Sequence, residues 1–357
     1  MSVTSSQIRT TVVAPTPIRV LIVDDSAVAR ASLSRTISEA PEFDIVAALD
    51  GARRAIDWLG SNKVDIILLD IQMPGLDGLA ALPELIEACC GARILVVSTL
   101  AGNGARETIQ ALALGAADTL AKPEMGALGR QFGDVLIDKM LRLGKARPAA
   151  FTESREPQLL RKVAETPIAC LAIGASTGGL HALAAFFAAL PRSFDAPILV
   201  TQHLPPVFMS FFADQLSALS GRSAYIASEG ETVKRGDILV APGDRHLGLT
   251  RRGRKVCVAL LDHAAASRCC PSVDPMFAAQ AEVYGDGALG VVLTGMGRDG
   301  EIGAGAIAEA GGTIIAQDAL SSAVWGMPGT VARAGLASLI AAPASLAAYV
   351  AQRGVER

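Results

Sequence analysis

Apolar and polar positions alternate along this chain in blocks from Arg19 onward. Short continuous apolar runs, "RVLIVDD", "FDIVAALD", "VDIILLD", "RILVVST" and "DTLAKP", are separated by stretches with apolar residues at helical spacing, "SAVARASLSRTISEA", "ARRAIDWLG", "LAALPELIEA" and "RETIQALALG". A strand that is apolar on both faces belongs in a parallel sheet covered by helices on both sides, so residues 18–144 are predicted to form a doubly wound α/β domain. From Lys145 to Pro167 the pattern dissolves into charged and Pro-bearing sequence, which reads as a linker over 145–166. A second alternating series then opens with "IACLAIGAS" and runs through "APILVTQH", "ALGVVLTGMG" and "GTIIAQD". It predicts a second parallel α/β domain over 167–349, with one β-hairpin excursion where "TRRGRK" supplies the turn, and a last helix in the Ala-rich tail. Residues 1–17 are polar and read as a disordered lead, not a signal peptide.

Composition narrows the function classes. A chain of 357 residues is long enough for two domains with cores of their own. A net charge of −3 argues against nucleic acid as the main partner, because phosphate binding needs clustered Lys and Arg. No run approaches about 20 apolar residues, so no membrane insertion is expected. The six cysteines, Cys89, Cys90, Cys170, Cys257, Cys269 and Cys270, show no C-x-x-C spacing, which suits a reducing, cytoplasmic compartment.

Polar residues at the strand ends carry the candidate chemistry. In the first domain Asp24 and Asp25 end the first strand, Asp70 the third, Ser98 the fourth, and Lys122 the fifth. The carboxyl ends of strands in a doubly wound sheet share one edge, so these groups converge there. A hard cation such as Mg²⁺ accepts oxygen ligands from such a cluster, at Asp24, Asp25 and Asp70, and suits phosphoryl chemistry. Lys122 then pairs with Asp70 and an incoming phosphoryl oxygen, with Ser98 as a hydrogen-bonding partner. The alternative is that the acids only cap helices and pair with Lys122.

In the second domain Gly174 to Gly178 fits G-x-S-x-G on a strand that turns into a helix, which exposes Ser176 at a nucleophile elbow. A helix N-cap and a phosphate loop are the competing readings of that motif. Of the four histidines, His181, His203, His246 and His263, only His203 ends a strand on the same edge, in "APILVTQH". Asp299, just past the strand in "GVVLTGMGRDG", is the candidate acid to orient it, and the Met296 N–H a candidate oxyanion donor. Gly295-x-Gly297-x-x-Gly300 also matches a dinucleotide fingerprint, with Asp318 as the ribose acid, but it lies on the wrong strand for that fold.

"LIVDDS", "LLDIQMPGLDG", "VVST" and "AKP" resemble a response-regulator receiver domain. "IGASTGG", "TQHLPP", "APGD", "PSVD", "LTGMGRDG" and "GMP" resemble the catalytic domain of the chemotaxis receptor methylesterases, the CheB family. The resemblance implies a flavodoxin-like receiver phosphorylated at Asp70 by a histidine kinase with Mg²⁺, in front of a cofactor-free serine esterase. It implies Ser176 as nucleophile, His203 as base, Asp299 as orienting acid and the Met296 amide as oxyanion donor. The substrates implied are glutamate γ-methyl esters on chemoreceptor helices, with receptor glutamines deamidated by many members. An unphosphorylated receiver is expected to cover the active-site edge. Two places depart from the pattern: Thr119 stands where many receivers carry an aromatic residue, and "HAAASRCC", residues 263–270, replaces the usual run before "PSVD". A phosphorylation-dependent binding module with an inactive second domain is the rival class.

Overall fold

A computed structural model describes residues 16–99, 104–122, 130–145, 160–161 and 165–354. Most of the expected lead and most of the expected linker lie outside the described residues. In the first domain, strands β1 (Ile18–Val23), β2 (Phe43–Leu49), β3 (Ile66–Leu69), β4 (Arg93–Ser98) and β5 (Asp118–Ala121) alternate with helices α1 (Ala27–Ser38), α2 (Ala52–Leu59), α3 (Gly78–Ala88), α4 (Gly104–Leu114) and α5 (Arg130–Lys145). The strands are all parallel, in the order β2-β1-β3-β4-β5. That is the flavodoxin-like arrangement, and it puts the ends of β1, β3, β4 and β5 side by side on one edge. Local chemistry starts the helices: Ser26 Oγ accepts the Ala29 amide at 3.2 Å at the head of α1, and Asp77 Oδ1 accepts the Ala80 amide at 2.7 Å at the head of α3.

The second domain contains β6 (Cys170–Ala175), α6 (Gly179–Ala189), β7 (Ile198–Gln202), α7 (Pro206–Ser220), β8 (Ala224–Ile226) and β9 (Ile238–Val240). The hairpin β10 (His246–Arg252) and β11 (Lys255–Leu261) follows, then α8 (Val273–Tyr284), β12 (Ala288–Val292), α9 (Glu301–Glu309), β13 (Thr313–Gln317), α10 (Met327–Arg333), β14 (Leu339–Ala341) and α11 (Pro343–Gly354). Seven strands form a parallel sheet in the order β14-β13-β12-β6-β7-β9-β8, and β10-β11 form the antiparallel excursion. Gly253, at φ +62°, supplies the left-handed turn residue of that hairpin. The sequence pattern misses β8, and it reads the tail after Val331 as a helix alone, whereas β14 precedes α11. Each of these two edge strands has three residues, all half-buried, too short for an alternation to register.

Both domains share apolar core. The buried cluster that contains Ile109 and Leu112 of α4 continues into Leu180 and Leu183 of α6 and Met209 of α7. At its margin the Arg106 guanidinium lies 5.4 Å from the centre of the Phe211 ring.

Close packing brings α8 onto the tip of β6, where a Cβ at Gly174 would meet Val273 Cγ1 at 2.5 Å. Gly174→Ala should therefore destabilise the second domain by about 1–3 kcal/mol, the ordinary cost of overpacking. A lower urea midpoint for that domain checks this; an unchanged midpoint would mean that α8 yields without cost.

Candidate active site

Strand order in the second sheet reverses at β6, which has β7 on one side and β12 on the other. At such a switch point the loops leaving adjacent strands part and open a crevice. Ser176 follows the last residue of β6, and its amide donates to Thr294 O at 3.0 Å, so it is held against the chain leaving β12. On the other side the His203 amide donates to Ala175 O at 3.2 Å, and Gln202 Nε2 donates to Ser176 O at 2.8 Å. The elbow turns through Gly178 at φ +75°, a conformation that suits glycine. Gly295 passes so near that a Cβ there would lie 2.8 Å from Ser176 Cβ. Its successor Met296 lines the same pocket as Ser176 and His203, and among the described residues the Met296 amide makes no hydrogen bond.

Asp299 is 1% exposed and surrounded by donors. Its Oδ1 accepts from Ser272 Oγ at 2.6 Å, Gly300 N at 3.1 Å and Asp274 N at 3.3 Å. Its Oδ2 accepts from Val273 N at 2.7 Å and lies 2.7 Å from His203 Nε2. Burial alone pushes Asp299 up, but the His203 hydrogen bond and charge, then Ser272 and Val273, hold it well below the usual carboxylate range. Burial likewise opposes a charge on His203, yet the hydrogen bond to Asp299, with Cys269 and the Asp299 charge, raises it from 6.5 to about 9. With Nε2 committed to Asp299, Nδ1 is the nitrogen left to face a hydroxyl. Among the described residues Ser176 Oγ makes no hydrogen bond, so the structure brings Ser176, His203, Asp299 and Met296 into one site without closing a serine–histidine bond.

Four residues to which sequence reasoning gave no role at this site complete the surroundings. Ser272, within "PSVD", holds Asp299; His246 Nδ1 in turn accepts the Ser272 amide at 3.0 Å, while its Nε2 lies 2.7 Å from His263 O. Cys269 lines the pocket beside His203. Asp274 accepts from Gly303 N at 2.8 Å, and burial, with the nearby Asp299 charge, raises its carboxyl to about 6. The Gly295 to Gly300 turn runs past Ser176 and aims its acid at His203, and Asp318 Oδ1 is taken by Ser321, which leaves the dinucleotide reading without support.

The first domain forms the opposite wall, with Asp118, Val135, Lys139 and Arg142 lining the pocket. Asp118 Oδ2 accepts from Thr177 Oγ1 at 3.0 Å and pairs with Lys139 Nζ at 2.8 Å. The Gly178 amide, at the start of α6, donates to Ala117 O at 2.6 Å, and Arg142 Nη1 lies 3.0 Å from Met296 Sδ.

On the carboxyl edge of the first sheet, Lys122 Nζ bridges Asp24 Oδ2 at 2.7 Å and Asp70 Oδ2 at 2.6 Å. Burial raises the Asp70 carboxyl against the pull of Lys122 and the Gln72 amide; the two carboxylates in turn keep Lys122 protonated despite its own burial. Asp24, Asp25 and Asp70 offer oxygens within 4.8 Å of one another, an all-carboxylate set that fits a hard divalent cation. Ser98 is fully buried and lies 2.7 Å from Thr108 Oγ1, turned toward α4. A hydroxyl with no water available takes the nearest buried partner. Thr119 is buried as well, and among the described residues its Oγ1 has no partner.

Residues 171–350 match the CheB methylesterase family, and residues 20–129 the response regulator receiver domain. The chain is 43% identical over 342 residues to protein-glutamate methylesterase/protein-glutamine glutaminase 2 of Caulobacter vibrioides, covering 94% of this chain and 98% of that one. It is 37% identical over 372 residues to protein-glutamate methylesterase/protein-glutamine glutaminase 1 of Rhodospirillum rubrum, covering 96% of each. The crystal structure of the Thermotoga maritima CheB methylesterase catalytic domain is similar with a TM-score of 0.51 and 36% identity, covering 52% of this chain and 99% of that one.

The buried pair sets a pH dependence. His203, raised above 6.5, contributes stability that is complete below 6.5 and lost as pH rises through about 9. Asp299, depressed below 3.8, contributes stability that is present above that value and lost as pH falls. Imidazole resonances of His203 should titrate near 9 and move down in Asp299→Asn, where burial meets less opposition. An unmoved midpoint would mean that Asp299 does not hold the ring charged.

Proposed function

Since the chain belongs to the CheB methylesterase family and carries a response regulator receiver domain ahead of the catalytic one, we propose that it is a phosphorylation-controlled serine esterase of bacterial chemotaxis. It removes methyl groups from glutamate γ-methyl esters on chemoreceptor helices, releasing methanol, and deamidates receptor glutamines. The observation that carries this reading is Ser176 at the switch point, flanked by a histidine whose other nitrogen is held by a caged carboxylate.

In the proposed reaction Ser176 Oγ attacks the ester carbonyl as His203 Nδ1 takes its proton. The imidazolium then faces Asp299, which is already ionised, so its charge is compensated as it forms. The carbonyl oxygen, becoming negative, lies within reach of the Met296 amide, and one such donor typically contributes about 3–4 kcal/mol to the transition state. His203 passes the proton to the leaving methoxide, giving methanol and an acyl-enzyme. Water, deprotonated by the same ring, releases the glutamate. A glutamine side chain follows the same steps with ammonia as the leaving group. Since a base must be neutral to accept a proton, a His203 pKa near 9 makes the rate rise with pH from neutrality toward 9.

Control comes from the wall supplied by the receiver. Lys122, beside the proposed phosphoacceptor Asp70, follows the last residue of β5, and Ala117 and Asp118, which bond Gly178 and Thr177, stand at its other end. Four residues of strand cover about 13 Å, so a shift of β5 is felt at both sites. Asp24, Asp25 and Asp70 would hold Mg²⁺, which when bound neutralises phosphoryl oxygens during transfer from a histidine kinase. Lys122 supplies a further positive charge to the phosphorylated carboxylate, and Ser98 bonds a phosphoryl oxygen after turning from Thr108. The same reading divides the chain into a receiver domain over 18–144 and a methylesterase domain over 167–349, with a linker over 145–166 and a lead over 1–17. The same reading puts the enzyme in the cytoplasm, acting on the cytoplasmic helices of receptors; no helix among the described residues is long and apolar enough to cross a membrane.

Methanol release from methylated receptor membranes tests both halves. A small phosphodonor with Mg²⁺ should stimulate the wild type; Asp70→Asn should not respond, and Ser176→Ala should lose about 10³-fold or more. Asp118→Ala, which frees Thr177 and Lys139, should raise the unphosphorylated rate about 5-fold or more, within ordinary coupling between sites. No release from wild type on any receptor would favour a binding module with an inactive second domain.

A further inference from the structure

The loop between β11 and α8 brings a thiol into the active site. Cys269 Sγ, a His203 ring nitrogen and an Asp299 carboxylate oxygen all lie within 4.8 Å of one another. The side chain is half-buried and lines the pocket that holds Ser176. Hydrogen bonds fix it there. The Cys269 amide donates to Ser267 Oγ at 3.3 Å, Ser267 Oγ donates to Ser272 Oγ at 3.2 Å, and Ser272 Oγ donates to Asp299 Oδ1 at 2.6 Å. The backbone of Cys269 is thus tied, through two serine hydroxyls, to the carboxylate that orients His203, while the thiol itself donates to Ser267 O at 3.8 Å. Ester hydrolysis as derived above gives this thiol no work.

We propose that His203, Cys269 and Asp299 form a binding site for a zinc-class divalent metal, and that its occupation switches the esterase off. One thiolate, one imidazole and one carboxylate make a donor set suited to Zn²⁺, whereas Mg²⁺ prefers oxygen alone. The pocket side leaves a fourth position for water. To admit the ion, the 2.7 Å contact between His203 and Asp299 has to open, to about 3.3 Å for tetrahedral bonds near 2.0–2.1 Å. As the zinc–sulfur bond forms, the thiol releases its proton to solvent. As the zinc–nitrogen bond forms at Nε2, the ring releases the proton on that nitrogen to solvent and keeps the one on Nδ1. Nothing is oxidised or reduced. With Nδ1 protonated, His203 has no lone pair to accept the Ser176 proton. The inhibition rests on the proposed roles of Ser176 and His203; the metal site does not.

The test uses the full chain with Mg²⁺ in excess to occupy the acidic cluster of the first domain, titrated with Co²⁺ and then Zn²⁺. The wild type should develop a thiolate-to-cobalt charge-transfer absorption that saturates at one equivalent and is displaced by Zn²⁺. Cys269→Ser and His203→Gln should lack it, and Cys270→Ser should keep it. Zinc affinity in Cys269→Ser should fall at least about tenfold, since loss of a supporting contact alone costs about 10–100-fold. Wild-type methanol release should fall with Zn²⁺ and return with a chelator, while Cys269→Ser, measured against its own metal-free rate, should lose that sensitivity. Absence of the absorption in wild type, or its persistence in Cys269→Ser, overturns the site. The cobalt signal in a chain that releases no methanol without metal keeps the site and removes the esterase reading.

Discussion

A carboxylate sealed from water costs several kcal/mol unless donors replace its hydration, and Asp299 meets that condition from three directions. The N-termini of α8 and α9 both point at it, through Val273, Asp274 and Gly300, and the positive ends of their dipoles add to the separate hydrogen bonds. Ser272, at the cap position of α8, supplies a hydroxyl. His203, at the end of β7, supplies the remaining contact and takes on a raised affinity for its proton in return. Most of the second domain's architecture meets at this charge. Helix α8 seats on β6 where Gly174 leaves room for Val273, and the hairpin brings His246 to hold Ser272. Even the backbone of Cys269 is held beside the pocket by a relay that ends on Asp299.

The first domain closes the far side of the same crevice. Asp118, Lys139 and Arg142 form its far wall, and Ala117 occupies the Gly178 amide at the start of α6. An amide at that helix terminus is a natural donor to a developing negative oxygen, and here it is spent on a carbonyl of the receiver. The contact joins regulation and chemistry at the level of single hydrogen bonds. It is also cheap to break: a few polar bonds at the rim of an apolar seam change more readily than the seam, because water replaces a polar partner at little net cost.

Much of the fold was legible in the residue pattern. Strands buried on both faces read as unbroken apolar runs, so β1, β3, β4, β6, β7, β12 and β13 stand out in the sequence, and the hairpin declares itself through Arg252-Gly253-Arg254. Edge strands β8 and β14 do not, since three half-buried residues carry no period. Ser176, His203 and Asp299 were legible because each stands just past a buried strand, and parallel strands put such positions on one edge. Ser272, His246 and Cys269 were not, because they approach from the hairpin and its exit loop, whose path no periodicity describes.

The sequence by itself determined which segments are strands and helices, that there are two parallel sheets, and which strand ends carry reactive groups. These follow from short-range periodicity and from the alternation of strand and helix. Only the tertiary structure decided that Asp299 Oδ2 meets Nε2 of His203 across 96 residues of chain, that Asp118 reaches Thr177 across 59, and that Ser98 turns to Thr108. Those choices depend on how two packed layers settle against each other, and a difference of one ångström there, invisible in any local pattern, selects the partner of each buried polar group.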